Sequence, residues 1–117
     1  MRQTAAEEKV ALIDLNAMSK TLYEAWGPQE SVKAFVHYEA NTFPGQTTAL
    51  KDDTHFNTYG AYEIARCIAK GIGEAKLEIA RYLQRDKLTF DPAHPDEVNK
   101  WYWPLSPLVS SIKPDGN

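Results

Sequence analysis

Apolar side chains recur at Ala61, Ile64, Ala65, Ile68 and Ile72, the i, i+3, i+4, i+7 spacing of a helix face turned toward a core. The polar run Asp52-Asp53-Thr54-His55-Phe56-Asn57-Thr58-Tyr59-Gly60 feeds straight into that helix. Asn57 or Thr58 suits the N-cap, because a short side-chain oxygen satisfies the free N–H groups of a first turn. Gly71 and Gly73 weaken the helix, which predicts a bend there or a break into a second helix over 74–85. Upstream, residues 2–9 are polar with alanines and read as a short helix, with Thr4 and Glu7 at capping-box spacing. Val10-Ala11-Leu12-Ile13-Asp14-Leu15 is a short apolar run, β-branched in part, and predicts one strand buried on both faces, as in parallel sheets. Asn16 then reads as the cap of a helix over 17–26, with Met18, Leu22, Ala25 and Trp26 on one face. Gly27 suits a left-handed helix end, and Pro28 the start of a further short helix through Ser31, Val32 and Phe35. From His37 to Lys51 the periodicity lapses, and Asn41, Pro44 and Gly45 punctuate a loop long enough to serve a function.

Beyond Asp86 the pattern becomes irregular, with Pro92, Pro95, Pro104, Pro107 and Pro114 breaking it. Trp101, Tyr102, Trp103, Leu105, Leu108 and Val109 are nevertheless too apolar to leave in water. The expected division is therefore a mostly helical α/β body over 1–85 and a proline- and aromatic-rich tail over 86–117, packed on that body or on a neighbour.

Composition narrows the classes. The 117 residues fit one domain, and 43% hydrophobic with 25% charged residues describes a globular chain. A net charge of −3 offers no electrostatic reason to expect nucleic acid or an anionic membrane as partner. No run approaches the ~18 apolar residues of a membrane span. Met1-Arg2-Gln3-Thr4 leads into a charged segment instead of an apolar one, so no signal peptide is expected. The single cysteine, Cys67, cannot form an internal disulfide, and within a helix it reads as a buried thiol before it reads as a nucleophile.

Asp52 and His55 stand three residues apart at a helix start, where a turn can fold both side chains to one side. In Ser-His-acid hydrolysis an imidazole moves the serine proton while a carboxylate fixes its tautomer. The plain alternative is a solvated turn in which Asp52 or Asp53 merely caps the next helix. For the nucleophile, Ser19, Ser31, Ser106, Ser110 and Ser111 are present, but none lies in a Gly-Asp-Ser or Gly-x-Ser-x-Gly turn. His37, His55, His94, Asp52 and Asp53 are metal-ligand types, yet no pair has zinc-helix spacing, so no metal site is expected. Phe35, Tyr38, Phe43, Tyr59 and Trp101 could stack on sugar rings or fill a core. Tyr38 and Phe43, by their long loop, are the two put forward for a groove.

The string Asp-Asp-Thr-His-Phe-Asn-Thr-Tyr-Gly-Ala resembles the last block of the SGNH (GDSL-type) hydrolases, and within them the rhamnogalacturonan acetylesterases. The resemblance runs from Leu12-Ile13-Asp14-Leu15 to the end of the chain. It implies a three-layer αβα fold, of which this chain is the C-terminal portion, with Asp52 as orienting acid and His55 as general base. It further implies a carbohydrate O-acetylesterase with no cofactor, acting on acetylated polysaccharide or oligosaccharide, secreted or periplasmic. The family's Gly-Asp-Ser block, oxyanion glycine and Gly-x-Asn-Asp block are not in this sequence, so the chain alone is expected to be inactive. A non-catalytic, self-associating module is the rival reading. One unpaired strand and an uncovered aromatic tail both predict a homo-oligomer, or a missing N-terminal half.

Overall fold

Two helices end where a lysine takes up the left-handed backbone. In the computed structural model, which describes residues 1–104, helix α1 (Arg2–Glu7) stops at Lys9, φ 53°. The N–H groups of Lys9 and Val10 fold back onto the carbonyls of Ala6 and Ala5, a Schellman closure. Helix α2 (Leu15–Glu30) starts at Asp14, whose carboxylate accepts from the Ala17 N–H at 3.2 Å. Arg2 donates to the same carboxylate through Nε and Nη2, at 2.6 and 3.0 Å, and so folds α1 back against the start of α2.

The strand expected over Val10–Leu15 is not formed. Lys9 turns the chain just before it, and Asp14, not Asn16, caps α2. Residues 10–14 are an irregular connection, with Val10 60% and Leu12 40% exposed instead of buried on two faces. Gly27 interrupts α2 with φ 72°, and Pro28 restarts it, as the sequence suggests.

A 3-10 turn at Ser31–Ala34 leads into strand β1 (Phe35–Tyr38), which pairs antiparallel with β2 (Leu50–Phe56). The molecule is thus a helix-rich, mixed α/β fold, with a two-stranded antiparallel sheet among the described residues. The helix predicted through Phe35 is replaced by β1, because cross-strand partners decide so short a segment. Gln46 organises the connecting loop: its Nε2 donates to the carbonyls of Glu39 and Thr48, and its Oε1 accepts from the Phe43 N–H.

Helix α3 (Thr58–Glu74) runs unbroken through both glycines and closes at Lys76, φ 51°, with the Leu77 N–H on the Ile72 carbonyl at 3.2 Å. The second helix expected over 74–85 is replaced by 3-10 turns at Glu78–Tyr82 and Arg85–Thr89. The buried face of α3 is also not the predicted one. Gly60, Glu63, Cys67 and Gly71 point inward, while Ala61, Ala65 and Ile68 are exposed and Ile64 is half-buried. Close approach selects this face. A Cβ on Gly60 would stand 2.1 Å from the Ala34 carbonyl oxygen, and one on Gly71 would stand 2.4 Å from Ile13 Cγ2.

Among the described residues the core cluster is Leu22, Cys67 and Phe90, bordered by Leu15, Met18, Trp26 and Ile64. No helix of the described residues is long and apolar enough to cross a membrane. Leu105, Leu108 and Val109, and the serines at 106, 110 and 111, lie outside the described residues.

Candidate active site

Asn57 fastens three elements at one point. Its Oδ1 accepts from the Gly60 N–H at 3.0 Å, capping α3. Its Nδ2 donates to the carbonyls of Lys33 (2.6 Å) and Phe35 (3.0 Å), and its own N–H to that of Ala34 (3.1 Å). The end of β2, the start of α3 and the entry to β1 are thereby held together.

Immediately before this anchor the ladder opens. Phe35 pairs with Phe56, but Val36 pairs with Asp52, so Asp53, Thr54 and His55 bulge out of β2 without backbone pairing to β1. Asp52 closes the bulge as a local turn. Its Oδ1 accepts from the backbone N–H groups of Thr54 (2.7 Å) and His55 (2.9 Å), and its Oδ2 meets His55 Nδ1 at 2.7 Å. These contacts, the His55 N–H first, then that of Thr54 and then the imidazole, hold the Asp52 carboxyl down at about 2. A carboxylate only accepts, so His55 Nδ1 carries the proton. In the neutral imidazole Nε2 is then left with its lone pair, on a ring 76% exposed. A base aimed at solvent, with its tautomer fixed by an acid, is the geometry proton transfer from a hydroxyl requires.

The structure places the other expected residues as follows. Tyr38 and Phe43 come together edge-on, ring centroids 4.9 Å apart, where the loop leaves β1. Phe35 stacks on Phe56 at 4.9 Å, and Tyr59 is buried between Trp26 and Trp101, so these rings serve packing. The Tyr59 hydroxyl accepts from Trp26 Nε1–H (2.8 Å) and donates to the Asp96 carbonyl (2.6 Å), and burial pushes it up to about 12. Ser19 and Ser31 donate to carbonyls of their own helical turns, at Asn16 and Pro28. Burial pushes the Cys67 thiol up to about 11, which leaves little thiolate for attack. Among the described residues no group of three metal-ligating side chains converges.

Two further pairs put Asp52–His55 in perspective. Asp91 and His94 repeat the ring contact, Nδ1 to Oδ2 at 2.7 Å, with the Ala93 N–H on Asp91 Oδ1 at 3.0 Å, although the His94 N–H goes to the Asp91 carbonyl instead. The Asp-x-x-His hydrogen bond is therefore a local property of the spacing. His37 on β1 reaches across to Asp53, Nε2 to Oδ1 2.7 Å. Sequence reasoning treats His37 as an isolated metal-ligand type, because its partner is set by the hairpin register.

No family model matches the chain, and no solved structure matches it. Two curated proteins of Bacillus subtilis (strain 168) do. Rhamnogalacturonan acetylesterase RhgT is 42% identical over 83 residues, covering 71% of this chain and 36% of the relative. The probable rhamnogalacturonan acetylesterase YesY is 34% identical over 87 residues, 74% of this chain and 36% of the relative. The chain is homologous to rhamnogalacturonan acetylesterases over that part of its length, and spans about a third of these relatives.

Proposed function

We propose that this chain carries the acid–base half of a serine O-acetylesterase of the SGNH type, acting on acetylated pectic carbohydrate. Asp52 orients and His55 acts as general base toward a serine hydroxyl, then as general acid toward the leaving sugar oxygen. The supporting observation is the Asp52–His55 contact at 2.7 Å beside an open Nε2, in a stretch homologous to two acetylesterases. No Gly-Asp-Ser turn stands in this sequence, so on this reading the nucleophile and oxyanion donors come from outside these residues. The edge-on pair Tyr38 and Phe43 offers an apolar surface for a pyranose ring.

The test is a chimera in which this chain replaces the matched stretch of RhgT. Acetate release from acetylated rhamnogalacturonan should persist and fall roughly 10³–10⁶-fold on His55→Ala. A folded chimera whose release is indifferent to His55→Ala would overturn the assignment.

A further inference from the structure

Adjacent aspartates on the bulge serve different histidines. Asp52 holds His55, and Asp53 is held by His37 from the facing strand, each contact at 2.7 Å. Asp53 is the first unpaired residue of the bulge, while His37, opposite Lys51, belongs to the paired ladder. The second contact therefore ties the irregular segment to the regular one, across 16 residues of sequence.

Asp91–His94 shows what that tie is not for. The same Nδ1 contact forms there within the segment itself, so a clasp is not what makes an Asp-x-x-His hydrogen bond. What His37 adds is location and selection. It pins the bulge to β1, and it occupies the carboxylate next to Asp52. Asp53 is 84% exposed, so without His37 little else would restrain its side chain.

We propose that His37 is a positioning residue: its clasp on Asp53 holds the bulge in register and reserves His55 for Asp52. This rests on the acid–base reading of Asp52 and His55, but its test does not need turnover. Histidine ring ¹⁵N spectra report which nitrogen carries the proton, and amide exchange at Thr54 and His55 reports the Asp52 turn. In His37→Phe and in Asp53→Ala, exchange at those two amides should quicken by about fivefold, the factor one hydrogen bond is worth. The His55 ring signals should shift toward exchange between two acceptors in His37→Phe, where Asp53 is released.

Asp53→Asn keeps an oxygen for the His37 Nε2–H and should behave as wild type. His94 and Ala93 provide the internal control and should not change in any variant. If α3 amides lose protection in His37→Phe, Asp53→Ala, at an exposed site, carries the test. Wild-type exchange at Thr54 and His55 in Asp53→Ala, or failure of Asp53→Asn to restore it, overturns the proposal. A chimera without activity would instead sink the esterase reading and leave these signals in place.

Discussion

At Asp52 the direction of the pKa shift makes the bulge acid-sensitive in a defined window. An unfolded aspartate protonates near 4, whereas folded Asp52 is held at about 2 by two backbone N–H groups and the imidazole. The depressed group stabilises the turn fully above about pH 4, and that contribution is lost as pH falls toward the folded value. The Thr54 amide, which donates to Asp52 Oδ1, should show an acid transition with a midpoint near 2. A midpoint at the ordinary aspartate value would show that the turn does not hold Asp52. Glu63 carries the opposite sign. It is fully buried, one carboxylate oxygen lacks a partner, and burial raises its pKa against the pull of Arg66, 3.2 Å away. A raised carboxyl stabilises below its unfolded value, and that contribution is lost as pH rises through the folded one. Glu63→Gln should therefore gain in Tm relative to wild type on going from pH 4 to pH 8. Parallel Tm-versus-pH curves would refute this.

At the scale of elements, the joint between hairpin and α3 is the sensitive point. Asn57→Ala removes the cap of α3 and two donors to the Lys33 and Phe35 carbonyls. The expected cost is about 2–3 kcal/mol in urea unfolding. Asn57→Asp keeps an oxygen for the Gly60 N–H but faces an anion to those carbonyls, so it should recover little. Recovery to wild-type stability would show that the cap alone matters. Gly60→Ala is the steric counterpart. A methyl 2.1 Å from the Ala34 carbonyl oxygen forces α3 away from the 3-10 turn, at a cost of about 3 kcal/mol or more. An unchanged unfolding midpoint would mean the helix does not seat there.

At the scale of the molecule, few large apolar side chains among the described residues are buried, while Val10, Ile79, Tyr82, Tyr102 and Trp103 are each more than half exposed. No strand at Val10–Leu15 is left to seek a partner, but the exposed aromatic and aliphatic surface of the described residues still favours association. Sedimentation equilibrium at micromolar concentration should give the mass of a dimer, for which a contact of more than about 1,000 Å² in total is the usual requirement. A cooperatively folding monomer would refute it. With no Gly-Asp-Ser turn in this sequence, the isolated chain should show no saturable hydrolysis of p-nitrophenyl acetate beyond the slow background of an exposed imidazole. Saturable, His55-dependent turnover would reveal a nucleophile that the sequence pattern hides.

Legibility in the sequence follows the range of the forces involved. The α1 segment, the break at Gly27, the Asn57 cap and the Asp52–His55 contact depend on neighbours a few residues away, and all can be read from spacing and side-chain chemistry. Asp91–His94 makes the same point, since the ring contact recurs wherever the local pattern permits it. The hairpin, the bulge and the His37–Asp53 contact need partners far apart in sequence, and four residues at Phe35–Tyr38 carry too little period to announce a strand. The inward face of α3 was decided by tertiary contact as well. Periodicity follows the large apolar residues at Ile64 and Ile68, but Gly60 and Gly71 let the backbone approach Ala34 and Ile13 more closely than any side chain would allow. Local hydrogen bonding thus set the chemistry of the site, and long-range packing set where that chemistry stands.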